Sequence, residues 1–195
     1  MKKQTLSLKK LSHDLFRNGT RELTGRDRGA RIRETIERLL KDVDEPLVIL
    51  DFSGTGSIDF SWADEVVAKI VSRLWSNEYG ERFLVLKGLN ASQAENIGVA
   101  LERKKLAVLS TGPGGWRMIG SLNNYLIHTL HQVMRKKQLT LKELSETEGI
   151  GMNTSGTRLL NLYKKRLVSR MEGASRLSGE TSHRGRPYVY ESLLG

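Results

Sequence analysis

Apolar positions in the first half of the chain follow two alternating patterns. Three segments repeat apolar residues every three or four positions, as amphipathic helices do, and three short runs are almost continuously apolar, as buried strands are. The helical segments are 26–43, 60–77 and 92–105, and the apolar runs are 47–54, 82–89 and 106–110. Their alternation predicts an α/β domain in which helices pack on a small sheet.

A glycine-rich stretch, STGPGGWRMIG, follows at 110–120. Four glycines and one proline within eleven residues are typical of a connector rather than of the interior of a helix or strand. We therefore predict a first domain over residues 1–112, a glycine-rich linker over 113–121 and a second domain over 122–195.

The second half has a different order of elements. Helical patterns at 122–137, 139–149 and 153–168 are followed by β-rich stretches at 167–173 and 186–193. Thr140 precedes Glu143 by three residues, which is the spacing of a capping box, and Gly149 and Gly151 mark a turn before the third helix. Three helices followed by a two-stranded ribbon is the order of a winged helix-turn-helix.

The third helix separates into an apolar and a polar face on a helical projection. The apolar face contains Gly156, Leu159, Leu160, Tyr163 and Leu167, and the polar face contains Thr154, Arg158, Asn161 and Lys165. Arginine can bind guanine and asparagine can bind adenine with two hydrogen bonds each, while lysine and threonine can bind phosphates or base edges. Free backbone N–H groups at the start of the helix, around Ser155, suit a phosphate. We predict DNA contacts at Thr154, Ser155, Arg158, Asn161 and Lys165; the alternative is the ordinary polar side of an amphipathic helix.

The stretch HRGRPYVYE at 183–191 predicts a basic loop tip before the last strand. Gly185 permits close approach to a phosphate or groove wall, and Pro187 fixes the backbone where the loop ends. Arginine on such a tip can enter a narrow minor groove or bind the DNA backbone. The predicted contacts are Arg176, His183, Arg184 and Arg186; the alternative is a solvated hairpin turn.

These motifs resemble the winged helix-turn-helix domains of bacterial transcription regulators. The resemblance lies in RLLNLYKKRLVSRMEG followed by GRPYVYES, which is similar to the family pattern of recognition helix, strand and wing exit. It implies binding of double-stranded DNA, with the third helix in the major groove and the wing on the backbone or in the minor groove. Homodimerisation is common in that family, so the resemblance implies a homodimer.

The distinctive stretch of the first half is LDFSGTGSIDFSWADEV, from Leu50 to Val66. It matches neither glycine motif of nucleotide-binding loops, which favours a plain strand-to-helix connection over a phosphate-binding turn. Residues 20–110 resemble the STAS-like family, relatives of anti-anti-sigma factors, and the resemblance implies a small α/β domain for protein contact or sensing rather than catalysis. In anti-anti-sigma factors a phosphorylated serine directly follows an aspartate, whereas here Phe60 separates Asp59 from Ser61. We predict Ser61 as a helix N-cap, and Asp59 and Ser61 as candidates for regulatory or partner contact.

Composition narrows the possible functions. The net charge is +10, and residues 121–195 hold 12 Lys and Arg against 6 Asp and Glu, which favours an anionic partner for the second domain. The chain has no cysteine, which excludes disulfides and thiolate chemistry. The start of the chain lacks the apolar core of a signal peptide, and no apolar run is long enough to span a bilayer, so we expect a cytoplasmic protein without membrane contact.

Catalytic signatures are weak. No nucleophile-elbow or Ser-His-Asp arrangement stands out, and the acidic residues lie at helix starts, where carboxylates are routine. His128 and His131 are three positions apart on a helix, but the spacing places no third metal ligand beside them. We predict that the chain is not an enzyme and that it has no cofactor and no metal site.

Together, these patterns predict a two-domain regulator of transcription. The winged helix would bind duplex DNA, and the STAS-like domain would supply dimerisation, partner contact or signal sensing. One alternative is a non-catalytic adaptor of the anti-anti-sigma type, in which both domains bind proteins. A weaker alternative is an RNA-binding protein, although an aromatic content of 6% offers few platforms for stacking unpaired bases.

Overall fold

A computed structural model describes residues 1–16, 23–42, 44–173 and 188–194. The chain divides into two compact units, Met1–Leu122 and Asn123–Gly195. Within the described ranges, no helix has both the length and the apolar character needed to cross a membrane.

The first unit is a mixed α/β structure built on a five-stranded sheet. Its elements in chain order are β1 (Lys3–Ser7), α1 (Leu8–Leu15), α2 (Arg26–Asp42), β2 (Leu47–Asp51), α3 (Phe60–Ala63), a π-helical turn (Asp64–Ala68), α4 (Lys69–Trp75), β3 (Phe83–Lys87), α5 (Ala91–Arg103), β4 (Ala107–Gly112) and β5 (Gly115–Gly120). The sheet order is β1-β2-β3-β4-β5. The first four strands are parallel, and β5 is antiparallel to β4.

The sequential strand order explains where the core lies. Right-handed crossovers between consecutive neighbouring strands place their helices on the same face of a sheet, and α2, α3, the π-helical turn and α5 contact one another as one layer. Apolar residues of the sheet, of this layer and of α4, which directly follows the π-helical turn, form a buried cluster that includes Leu6, Val48, Leu50, Leu84, Leu86, Val108, Ile32, Ile36, Leu40, Ile70, Leu74, Ile97 and Leu101. The predicted α/β unit with helices packed on a small sheet is therefore confirmed.

The prediction of a glycine-rich linker over 113–121 is wrong for most of that stretch. Residues 115–120 form β5, which pairs with β4 along its whole length, from Gly112 opposite Gly115 to Ala107 opposite Gly120. The glycines are needed for the backbone conformation of the strand rather than for flexibility. Gly115 and Gly120 have φ values of +91° and +100°, which only glycine adopts readily. A Cβ on Gly120 would also lie 2.8 Å from the Cβ of Leu101.

Buried ion pairs join α2 to the helix that follows β2. Glu65, with a side chain only 3% exposed, accepts hydrogen bonds from Arg33 Nε at 3.2 Å and Lys69 Nζ at 2.6 Å. Glu37 accepts from Arg33 Nη1 at 2.7 Å and from the Tyr79 hydroxyl at 2.8 Å. Burial by itself would raise the pKa of Glu65, but the hydrogen bonds from Lys69 and Arg33 outweigh it and hold that pKa below its ordinary value. The network is internally satisfied and holds these helices together.

In the residues that the structure describes, the second unit has three helices and a three-stranded antiparallel sheet of order β6-β8-β7. Its elements are α6 (Asn124–Lys136), β6 (Gln138–Thr140), α7 (Leu141–Glu148), α8 (Met152–Lys164), β7 (Val168–Glu172) and β8 (Tyr188–Ser192). Its buried apolar side chains include Leu126, Leu130, Val133, Leu139, Leu144, Leu159, Leu162, Val168 and Tyr190. The short strand β6 has no counterpart among the predicted elements.

Candidate nucleic-acid interface

A short glycine turn joins α7 to α8. The capping box that starts α7 is confirmed: Glu143 N donates to Thr140 Oγ1 at 3.2 Å, and Thr140 N donates to the Glu143 carboxylate at 2.7 Å. Helix α7 ends at Gly149, whose φ of +63° places it in the left-handed region, and Ile150 N donates back to Ser145 O at 3.2 Å. Helix α8 therefore follows α7 after a sharp, well-capped change of direction.

Helix α8 turns Ser155, Leu159 and Leu162 toward the interior. The fully buried Ser155 donates its hydroxyl hydrogen to Gly151 O at 3.2 Å, so its polar group is satisfied inside the helix. The prediction that a free backbone N–H at Ser155 binds a phosphate is wrong, because that N–H donates to Gly151 O at 3.0 Å and the residue is fully buried.

The buried face of α8 is rotated relative to the predicted one. Gly156 has open space where a Cβ would lie, and Leu160 and Tyr163 are only partly buried. The buried face includes Ser155, whose hydroxyl can be buried because it is hydrogen-bonded within the helix, and Leu162, which belongs to the core. A projection centred on Ser155, Leu159 and Leu162 places Asn153, Thr157 and Lys164 on the opposite side, and all three are exposed.

The exposed side of α8 is polar and free of acidic residues. Asn153, Thr154, Thr157 and Lys164 are exposed, and Asn161 is half-buried beside them. From residue 151 to 170 the chain carries five basic residues and no acidic one. Residues Asn153, Thr157 and Lys164 were not among the predicted contacts, although the same helical periodicity contains them.

Arg158 is held against neighbouring elements rather than extended from α8. Its Nη1 donates to Oε2 of Glu148 at 2.9 Å, and its guanidinium lies 5.3 Å from the ring centroid of Tyr125, a cation–π distance. The Arg158 side chain is 21% exposed and that of Glu148 is 9% exposed. Arg158 therefore occupies a fixed place at the side of α8.

A groove of about 440 Å³ runs along this part of α8. Its lining residues are Tyr125, Asn153, Thr154, Thr157, Arg158 and Asn161. Lys165 follows the end of α8, and burial lowers its pKa. The structure thus brings three predicted contacts, Thr154, Arg158 and Asn161, to one groove, with Lys165 outside its lining.

The predicted wing contacts Arg176, His183, Arg184 and Arg186 lie outside the described residues. The described part of the β7–β8 pair carries Arg170, whose guanidinium lies 4.2 Å from the ring centroids of both Tyr163 and Tyr188. This stack joins the sheet to the end of α8.

His128 lies beside a single carboxylate. Its Nε2 lies 3.2 Å from Oε1 of Glu148, the carboxylate that also binds Arg158. Within the described parts of the chain, no three His, Asp or Glu side chains come together as a potential metal site.

In the first unit, the predicted regulatory residues lie at the start of α3. Asp59 is the N-cap of this helix: Oδ1 accepts from Trp62 N at 2.8 Å and Oδ2 from Gly25 N at 3.1 Å. The prediction of Ser61 as N-cap is wrong, because the helix already begins at Phe60 and the Asp59 carboxylate fills that role. Ser61 lies half-buried in the first turn, and its modification or contact with a partner stays a prediction.

The glycine-containing loop after β2 is held by groups of the chain itself. Asp51 accepts from Ser53 N at 2.9 Å and lies 3.2 Å from Lys87 Nζ. Gln93 Nε2 donates to Gly56 O at 2.7 Å across the same loop. These contacts support its interpretation as a strand-to-helix connection.

Comparison with known proteins adds no assignment to this geometry. No family model, curated protein or solved structure gives a significant match to the chain. The function proposed below depends on α8 and its neighbours.

Proposed function

We propose that this protein is a DNA-binding regulator of transcription whose second unit binds duplex DNA through α8. The observation that carries the proposal is the exposed side of α8: amide, hydroxyl and ammonium groups lie together on a helix with no acidic residue. Amide groups can read adenine, hydroxyls can bind base edges or phosphates, and ammonium groups bind phosphates.

The order of elements in the second unit supports this proposal. Helix, strand, two helices across a short turn, and then two antiparallel strands is the order found in winged helix-turn-helix domains, in which the helix after the turn enters the major groove. In that arrangement Asn153, Thr157 and Asn161 would meet base edges, and Lys164 would meet a backbone phosphate. The loop between β7 and β8 would be the wing, with Arg184 and Arg186 as its contacts.

We assign the first unit a STAS-like role in dimerisation, contact with a partner protein or reception of a signal, without catalysis or cofactor. The hydrogen bonds that close the loop after β2 on the chain's own groups favour protein contact over a small ligand at that loop. Homodimerisation would let two copies of α8 reach two half-sites one helical turn of DNA apart.

The experiment is duplex binding measured by fluorescence anisotropy over a salt series. Each backbone phosphate neutralised by a basic side chain contributes about −0.9 to the slope of log K against log salt. Lys164→Ala should reduce the magnitude of that slope by about one. Lys41→Ala, which removes the same charge from an exposed position in α2, is the matched control and should leave the slope unchanged.

The Arg184→Ala/Arg186→Ala variant tests the proposed wing in the same assay and should weaken binding by at least about 1 kcal/mol. Absence of duplex binding by the wild type at low salt would overturn the proposal and favour the protein-binding adaptor. A palindromic footprint on selected DNA would support the homodimer.

A further inference from the structure

The groove between Tyr125 and α8 contains an arginine that is fixed from two sides. The Arg158 guanidinium lies over the Tyr125 ring, 5.3 Å from its centroid, and Nη1 donates to Glu148 at 2.9 Å. A guanidinium has five N–H donors in a rigid plane, so one hydrogen bond to Glu148 orients the plane while donors remain for a ligand. We propose that Arg158 binds a backbone phosphate of duplex DNA in this groove, and that Glu148 is the residue that positions it. This inference rests on the proposed function.

Exposure argues against direct base reading by Arg158. A guanine-reading arginine extends its side chain to place two donors against O6 and N7. The Arg158 side chain is instead 21% exposed, lies to the side of α8 and is folded back onto another helix. Asn153 and Thr157 are the side chains that project from the exposed side, so base reading falls to them and phosphate binding to Arg158.

The burial of Glu148 supports a positioning role. Its side chain is 9% exposed, and Oε1 is buried without a hydrogen-bond partner, although His128 Nε2 lies 3.2 Å away. A buried carboxylate is expensive to keep charged unless a cation compensates it, and Arg158 is that cation. The pair fixes the arginine before DNA arrives, which reduces the conformational entropy lost on binding.

The test is a double-mutant cycle on the full chain with random-sequence duplex DNA. Arg158→Ala should weaken binding about tenfold, the scale of one charge-assisted hydrogen bond. Glu148→Ala should weaken it about fivefold or more although it removes a negative charge, which alone would strengthen binding. Glu148→Gln retains an acceptor for Arg158 and should return to within about twofold of the wild type. In the Arg158→Ala background, Glu148→Ala should no longer weaken binding, because only the loss of its negative charge remains.

A second readout separates phosphate binding from base reading. In selections from a randomised duplex pool, Arg158→Ala should keep the wild-type base preference and Asn153→Ala should change it. If Glu148→Ala unfolds the second unit, Arg158→Lys tests the positioning from the other side of the pair. Lysine keeps the charge but not the planar guanidinium, so binding should fall below that of the wild type and stay above that of Arg158→Ala.

The outcomes are distinguishable. A wild type that does not bind DNA overturns both the proposed function and this inference. A wild type that binds, with Glu148→Ala equal to it or tighter, overturns the positioning role alone. A changed base preference in Arg158→Ala overturns phosphate binding by this residue while leaving the proposed function intact.

Discussion

Two basic clusters, one in each unit, differ in how far their charges are compensated by nearby carboxylates. In the first unit, Arg33 and Lys69 are bound to Glu65, and Arg33 also reaches Glu37, so the cations are neutralised within the fold. In the second unit, the stretch from residue 151 to 170 contains five basic residues and no acidic one. Within it, Arg158 is paired with Glu148 from the preceding helix.

This difference shows that a charge total does not identify a binding surface. A buried pair is sensitive to the loss of either partner, because the remaining charge is left uncompensated in a poorly solvated place. Exposed basic groups contribute little to folding but can release counterions from DNA when they meet phosphates. Substitutions in the first unit should therefore change stability, and those on α8 should change binding.

The largest effect is expected from Glu65→Ala. Removing this carboxylate leaves Arg33 and Lys69 without their shared partner, and the first unit should lose about 3–5 kcal/mol of unfolding free energy. All three tryptophans, Trp62, Trp75 and Trp116, lie in the first unit, so urea unfolding followed by tryptophan fluorescence reports on it specifically.

The matched control for that substitution is Glu34→Ala. Glu34 also pairs with Arg33, at 3.5 Å, but its side chain is 64% exposed, so its loss should stay within about 0.5 kcal/mol. Equal effects of the two variants would contradict the contrast between buried and exposed charge.

A smaller but still substantial effect is expected from Gly120→Ala, which tests whether 115–120 is a strand or a linker. The residue combines a φ of +100° with a Cβ position 2.8 Å from Leu101 Cβ, so strain and steric overlap should cost about 2–3 kcal/mol in the tryptophan-monitored unfolding.

Gly114→Ala is the control in the same hairpin, because a Cβ there meets nothing within 4 Å, and the change should stay within about 0.5 kcal/mol. A flexible linker would tolerate both substitutions, so equal stability of the two variants would refute the strand assignment.

The smallest effect is expected in the second unit, from Thr140→Ala. Loss of the cap should destabilise α7 by about 1 kcal/mol, measured as faster hydrogen exchange of its amides in the full chain. Thr147→Ala, at an exposed position of the same helix, should leave exchange nearly unchanged.

The Thr140→Ala effect should also depend on pH. Hydrogen bonds from Thr140 hold the pKa of Glu143 below its ordinary value of 4.5. A lowered folded-state pKa contributes stability that is present above the unfolded-state pKa and is lost as the pH falls through the folded-state value. The Thr140 hydroxyl donates to the Glu143 carboxylate at 2.8 Å, whereas the backbone N–H at position 140 remains in the variant. The difference between wild type and Thr140→Ala should therefore shrink on acidification, and a constant difference would show that the hydroxyl does not contribute to the lowered pKa of Glu143.

The sequence predicted which helices and strands occur in each unit better than it predicted where they end or which strands pair. Apolar spacing located α2, α5 and α8, and the capping box located the start of α7. It did not locate β1 or β6, which are short strands that depend on pairing with distant partners. Glycine content misassigned β5, because the same residue type serves both flexible connectors and strands that need positive φ or close approach.

The candidate site was predicted only in part, because helical periodicity gives the faces of a helix but not the residues that pack against it. Periodicity placed Thr154 and Asn161 on the polar side of α8, where the structure has them. Ser155 was predicted from its place at the start of the helix, where backbone N–H groups are often free, but its N–H is bonded to Gly151 O and its side chain is buried. Tyr125 and Glu148 belong to the candidate site only because α6 and α7 pack beside α8.

The sequence alone determined the α/β character of the first unit, the order of the three helices and the last two strands of the second, and the basic excess near its end, because these depend on local spacing and composition. The tertiary structure alone decided which basic residues are engaged and which side of α8 faces outward. Those properties depend on partners distant in the chain: Glu65 for Arg33, and Tyr125 for Arg158. Local patterns do not encode the distances that make a charge buried, paired or exposed.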